Sequence, residues 1–312
     1  MAFDRVLGLP RSIPAAMNDS SSLERLLARA EAVLGRLEAA LPPPSPLPDW
    51  QGAVAFRWRK SNGRGWLQAV RHPHPIRLTD LDNIDDQKQR ITANTRQFVA
   101  GQTANNVLLT GSRGSGKSSL VKAVLNEYSA KGLRLIEVDK EDLIDLPDIV
   151  DLIEDRPEKF IIFCDDLSFE AGETAYKALK SVLDGSIAAP PDNVLIYATS
   201  NRRHLMPEYF AENLETHRVD DEIHPGETTE EKISLSERFG LWISFYPFSQ
   251  DDYLNIANHW ARQLGVAEEV IVASEREALN WALSRGSRSG RVAWQFAKDL
   301  AGRQKPIRKK RK

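Results

Sequence analysis

The sequence predicts an α/β fold: a parallel β-sheet covered by helices on both faces, with a smaller group of helices after it. Three observations carry that expectation. Between residues 76 and 248, short apolar runs alternate with stretches of helical periodicity, the order that builds a parallel sheet. The run Lys159-Phe160-Ile161-Ile162-Phe163-Cys164 is almost wholly apolar, as a strand buried on both faces must be. And Asn106-Val107-Leu108-Leu109-Thr110 passes into Gly111-Ser112-Arg113-Gly114-Ser115-Gly116-Lys117-Ser118, then into a helical run from Ser119 to Leu125, so a glycine loop joins a strand to a helix.

Composition bounds the rest. The 312 residues suffice for one large or two modest cores, and 41% hydrophobic with 28% charged residues is the balance of a globular chain. No apolar stretch reaches the length of about eighteen residues that a membrane span needs. The N-terminus shows no basic segment followed by an apolar one, and Cys164 is the only cysteine, so a reducing, cytoplasmic setting is expected. The six histidines form no metal-ligand spacing beyond His72-Pro73-His74, which reads as loop.

Taken in order, residues 1–48 hold a helix and a linker. Ser21-Ser22-Leu23-Glu24 has the form of a capping box. Behind it Leu23, Leu26, Leu27, Ala30, Leu34, Leu37 and Leu41 share one face, which predicts a docking helix rather than a coiled coil. The prolines of Leu41-Pro42-Pro43-Pro44-Ser45-Pro46-Leu47-Pro48 make a stiff linker. Residues 49–75 read as a small hairpin, with strands at 53–59 and 66–70 around Asn62-Gly63. Its Arg57, Trp58, Arg59, Lys60, Arg64 and Trp66 suit either a nucleic-acid strand or, the favoured reading, Trp residues packed inward with charges facing water.

Residues 76–248 form the main α/β segment. Leu78 to Asn83 leads into a helix ending at Gly101, and five strands are expected at 106–110, 133–138, 159–166, 194–200 and 241–245. Helices are expected to Tyr128, over Asp142–Ile153 and over Gly172–Leu183. Pro207 to Ser234 is a polar, acid-rich stretch, either functional or mobile. Residues 249–302 read as three helices, about 250–264, 267–285 and 289–302, with Ser249 and Ser289 as N-caps. Residues 303–312 form a basic tail, read as solvated.

The glycine loop carries chemistry. Glycines let consecutive backbone N–H groups turn inward on a polyphosphate, and the N-terminus of the following helix adds unpaired donors and partial positive charge. Gly111, Ser112, Arg113, Gly114, Ser115, Gly116 and Ser119 would cradle phosphates; Lys117 would reach the terminal ones; Ser118 would place its hydroxyl on Mg2+. At the end of the third strand, Asp165 would hold that metal and Asp166 would orient and help deprotonate an attacking water. The expected ligand is therefore a nucleotide with Mg2+, and the resemblance that follows implies that the nucleotide is ATP.

With these motifs, residues 78–302 resemble the AAA+ superfamily of P-loop ATPases. The resemblance implies that Asn201, in Thr199-Ser200-Asn201, is the sensor near the γ-phosphate. Arg238, in Ser236-Glu237-Arg238-Phe239-Gly240, would be an arginine finger given to a neighbouring copy. Arg291, in Gly290-Arg291-Val292-Ala293, would be the second sensor, with Arg288 in reserve, and Ile84, in Leu81-Asp82-Asn83-Ile84, would touch adenine. The superfamily usually ends its second strand motif Asp-Glu; here Asp166 is one methylene shorter, so slow hydrolysis is expected. Phe163 to Glu170 and Ala198 to Arg203 look like an uncharacterised bacterial family of this superfamily, catalogued as a domain of unknown function.

Asp139 to Leu146, where unfoldases of the superfamily carry an aromatic and a glycine, has neither, which argues against polypeptide threading. After the C-terminal helices only the basic tail remains, without the DNA-binding module of replication initiators. The resulting expectation is a homo-oligomeric ATPase that remodels or positions an unknown protein partner. The alternatives are a nucleotide-gated switch with little turnover and a helicase-loader-like, nucleic-acid-associated ATPase.

Overall fold

The computed structural model describes residues 20–40, 48–169, 173–185, 191–202, 205, 217–219, 222–224 and 235–304. The chain divides into two units, Met1–Pro46 and Leu47–Lys312. The first is described by one helix, α1 (Ser20–Ala40), whose 21 residues run for three heptads where the leucines alone predict fewer. It starts one residue before Ser21, whose side chain, half of the expected Ser21–Glu24 capping box, lies outside the described residues, as do residues 41–47 of the proline linker.

The second unit is organised by a seven-stranded sheet. Its strands are β1 (Ala55–Ser61), β2 (Arg64–Ala69), β3 (Val107–Gly111), β4 (Leu133–Glu137), β5 (Lys159–Cys164), β6 (Val194–Ser200) and, after a separate pair β7 (His217–Val219) and β8 (Glu222–His224), β9 (Leu241–Phe245). The order is β2-β1-β4-β5-β6-β3-β9, and every neighbouring pair is parallel except β1 and β2. The expected five parallel strands are all present, but the sheet is two strands wider than expected. The hairpin supplies them: Ala55 to Arg57 pair with Leu135 to Glu137, covering a β4 edge that would otherwise offer unpaired backbone groups.

Period-2 alternation in β5 feeds both sides of the sheet. Phe160, Ile162 and Cys164 enter one buried cluster, while Ile161 and Phe163 enter the other. Helices α2 (Asp85–Val99) and α3 (Lys117–Tyr128) cover the second face through Ile91, Phe98, Leu120 and Val124. The first face is covered by α4 (Leu146–Asp151) and α5 (Thr174–Asp184) through Ile149, Tyr176 and Leu179. Four more helices, α6 (Gln250–Gln263), α7 (Glu268–Ala273), α8 (Glu275–Ser284) and α9 (Gly290–Arg303), enclose a third cluster around Tyr253, Ala257, Ala278 and Phe296.

Two expected helices are interrupted. Asp142–Ile153 is a 3-10 turn, Lys140–Asp145, followed by α4, because Pro147 opens a new helix better than it continues one. The helix expected over 267–285 breaks at Ser274, whose hydroxyl donates to the Val270 carbonyl at 2.6 Å and closes α7 before α8 starts. Ser249 and Ser289 cap α6 and α9, accepting from Asp252 N at 3.1 Å and Val292 N at 3.3 Å. The acid-rich stretch 207–234 lies outside the described residues apart from β7 and β8, and so does the tail beyond Gln304.

Four of the hairpin's six aromatic and basic residues are engaged by the fold, while Trp66 is half-buried and Arg64 is exposed. Trp58 and Leu67 are buried in the first cluster. Arg57 meets Glu137 at 2.5 Å, Arg59 meets Asp139 at 3.7 Å and Lys60 meets Asp145 at 2.7 Å. Asp145 also accepts from the buried Trp58 indole at 3.0 Å, so one carboxylate ties the hairpin to the turn after β4. Asp145→Ala leaves that indole N–H without its partner, which costs about 1–3 kcal/mol. Urea unfolding should show a lower midpoint; an unchanged one would mean that Asp145 is not a tie.

Candidate nucleotide site

The glycine loop runs from the last residue of β3 to the first of α3, and its geometry follows from where glycine stands. Gly111 has φ +136°, and a Cβ there would lie 2.0 Å from the Phe245 carbonyl oxygen of β9. Gly114 has φ +75°, and a Cβ would lie 2.9 Å from Ser289 Oγ at the start of α9. No other side chain fits both the conformation and the space. The Gly290 N–H donates to the Gly114 carbonyl at 2.9 Å, so the loop and the C-terminal helices touch through backbone.

Strands β5 and β6 deliver the polar groups. They pair in register from Phe160 with Val194 to Cys164 with Ala198, so Asp165 and Asp166 leave the sheet beside Thr199 and Asn201. Thr199 is buried; its hydroxyl donates to Asp165 Oδ1 at 2.5 Å and accepts from the Asp166 N–H at 2.9 Å. Ser118 Oγ donates to the same Asp165 oxygen at 2.6 Å. Asp166 adopts φ +54°, a conformation aspartate tolerates better than most residues, and its carboxylate accepts from Asn201 Nδ2 and lies 3.6 Å from Arg113.

Lys117 is buried. Its Nζ donates to the Gly111 and Ser112 carbonyls, each at 2.8 Å, and to Asn201 Oδ1 at 3.1 Å. Burial pulls its ammonium below the usual lysine range, while Asp165 and Asp166 act in the opposite sense. Asn201 thus links the lysine to the second aspartate. Cys164, one residue before Asp165, has its thiol pushed up to about 12 by complete burial, so it is a packing residue and not a nucleophile.

These groups form the polar end of a cleft of about 820 Å³. Its apolar lining comes from Ile76, Leu81 and Ile84 of the segment before α2 and from Ile256, Trp260 and Trp294 of α6 and α9. The rings of Trp260 and Trp294 stand 4.7 Å apart at 68°, giving a broad aromatic wall. Two side-chain contacts hold α6 against the segment before α2: Asn83 Nδ2 donates to the Asp252 carbonyl at 3.1 Å, and His259 Nδ1 lies 3.0 Å from Asp82.

Of the sequence-predicted residues, Arg113, Gly114, Ser115, Gly116, Lys117, Ser118, Ser119, Asp165, Asp166, Asn201, Arg291 and Ile84 all line this cleft. Gly111 and Ser112 lie behind it and hold Lys117. Arg238 is not among the lining residues; it pairs with Asp184 at the end of α5. Arg288 does not line the cleft either. Sequence reasoning missed Thr199, Trp260 and Trp294. Thr199 stood two residues before Asn201 and could have been read with it; the tryptophans showed only as large aromatics on amphipathic helices.

A divalent cation can be tested against this geometry. Ser118 and Asp165 converge within 2.6 Å as hard oxygen donors. Among the described residues no group of three or more His, Cys, Asp or Glu could hold a metal by itself. That is the donor set of magnesium carried in with phosphate oxygens, since Mg2+ takes one or two protein oxygens and keeps the rest for phosphate and water.

A family model described as "Protein of unknown function (DUF815)" matches residues 51–304. The chain belongs to this family. A search of curated proteins finds no match. Among solved structures, the DUF815 chain is similar to a Thermotoga maritima RuvB mutant, at 16% identity over 72% of this chain and 64% of that one, with a TM-score of 0.48. It is also similar to a DNA replication initiation factor, at 14% identity over 72% of this chain and 64% of that one, with a TM-score of 0.46. A third is the Thermotoga maritima RuvB Holliday junction branch migration motor, at 15% identity over 73% of this chain and 72% of that one, with a TM-score of 0.39. The DUF815 chain spans less than two thirds of the length of the first two. Its own architecture is an α/β fold: a mostly parallel sheet, a glycine loop at the carboxyl end of β3, and helices beyond β9 that reach back to that loop. Among the described residues no helix is long and apolar enough to cross a membrane.

Proposed function

We propose that this chain binds Mg-ATP in the cleft and hydrolyses it slowly, at a site completed by a neighbouring copy, in order to remodel or position a protein partner. The observation that carries this reading is the Asn201 side chain, joined to Lys117 on one side and Asp166 on the other, beside the Ser118–Asp165 pair. Phosphates fit against the N-terminus of α3 and Lys117; the adenine fits between Ile84 and the Trp260–Trp294 wall. Bound magnesium, held by Ser118 and Asp165, would neutralise charge developing on the transferring phosphoryl group. Asn201 orients the water, and Asp166 accepts its proton.

Slow turnover is argued from Asp166 itself. Its shorter side chain is engaged by Asn201 and Arg113 and must give up part of that pairing to meet a water. The same feature favours the second reading, a nucleotide-gated switch in which ATP binds and is rarely cleaved. Single-turnover analysis with a trace of labelled ATP separates the two. Gradual, complete conversion to ADP and phosphate, stopped by chelating magnesium, supports hydrolysis; bound ATP recovered intact supports the switch. The nucleic-acid reading is weakened by the hairpin, where Arg57, Arg59 and Lys60 each face an acid of the same chain.

Gly114→Ala tests how the loop and the α9 start share the site. The new Cβ meets Ser289, and the left-handed backbone adds strain of about 1–2 kcal/mol. Titration with Mg-ATP should show affinity falling about tenfold, the equivalent of that strain. Wild-type affinity would mean that the loop and α9 do not meet when nucleotide is bound.

A further inference from the structure

Helix α1 carries an apolar stripe that is exposed: Leu23 is 58% accessible, Leu26 66%, Leu27 55%, Val33 49% and Leu34 57%. Helices in proteins draw most of their stability from packing such a face, and a contiguous exposed apolar stripe marks an interaction surface, so the stripe calls for a partner. The charges beside it say which one. At 100° per residue, Glu24 and Glu31 lie along one edge of the stripe, and Arg29 and Arg36 lie along the other. Acid and base stand on opposite edges, so they cannot reach one another within a single helix, where pairs need a spacing of three or four.

Two such helices meeting stripe to stripe have two choices. If parallel, the rotation relating them brings the acidic edge of one against the basic edge of the other on both sides. If antiparallel, it brings acid against acid and base against base. The edge charges therefore select the parallel arrangement, and they do so for a pair or for a closed ring of any size. We propose that α1 packs in parallel against α1 of a second copy of this chain. All copies then point the same way, as a ring of identical subunits requires. The association does not depend on the ATP site and is read without nucleotide.

Light scattering on the nucleotide-free full chain at tens of micromolar should give a multiple of 35.1 kDa, and Leu26→Glu combined with Val33→Glu should give 35.1 kDa. A monomeric wild type, or a doubly substituted chain with wild-type mass, overturns the proposal. Glu24→Arg, Glu31→Arg and Glu38→Arg, which follow one another along the acidic edge at a spacing of seven, make both edges basic and should weaken association about tenfold; adding Arg29→Glu and Arg36→Glu restores the complement and the affinity. Failure of that restoration contradicts the edge pairing. Direction is read with Leu23→Cys, because the native Cys164 is buried and cannot compete. Mild oxidation should link two such chains through residue 23. An associated sample that does not cross-link there rules out the parallel packing.

Discussion

Lys117→Ala is expected to abolish ATP turnover, lowering it about a hundredfold or more, the scale on which removing one pre-organised donor from a charged transition state acts. The side chain is buried, with its ammonium directed at two loop carbonyls and Asn201, so it is held in place before any phosphate arrives. Binding should weaken as well, because the same ammonium meets the ground-state phosphates. The pH dependence has a definite sign. Burial pulls the lysine down, and phosphate contact pushes it back up, so binding takes up a proton and affinity falls as pH rises. Phosphate release and nucleotide titration at several pH values check both points; the variant should lose turnover and flatten the pH profile. Equal turnover in the wild type and Lys117→Ala would sink the site assignment.

Arg238→Ala is expected to leave nucleotide binding intact and to lower turnover about a thousandfold, as loss of an arginine finger does. The side chain does not line the cleft of its own chain and pairs with Asp184, so the proposed finger would serve the cleft of a neighbouring copy. Mixing Arg238→Ala with Asp165→Ala should then restore part of the activity, because an intact Arg238 from the second can serve an intact carboxylate of the first. Full activity in a demonstrable monomer, or no rescue on mixing two folded variants, would count against a finger in trans.

The candidate site was legible in the sequence where chemistry is local. The glycine loop, Asp165 and Asp166 read directly because each needs a fixed residue type at the end of a strand. Ile84, Asn201 and Arg291 were legible only through resemblance and order along the chain, and all three line the cleft. Trp260 and Trp294 were not legible, since nothing in an amphipathic pattern says that α6 and α9 bring two indoles together across 4.7 Å. The sheet's width was hidden for a similar reason: pairing between β1 and β4 is a tertiary choice, and a hairpin signal fixes only the two strands it joins. The breaks at Pro147 and Ser274 came from single residues inside otherwise helical stretches.

One cleft, between the glycine loop and the C-terminal helices, is expected to hold the nucleotide. Photolabelling with an azido-adenine ATP, followed by peptide mapping, tests it most directly. The label should fall on the segment before α2 around Ile84 or on α6 and α9 near Trp260 and Trp294, require magnesium, and be displaced by unlabelled ATP. Labelling elsewhere on the chain, or labelling that excess ATP does not displace, would contradict it.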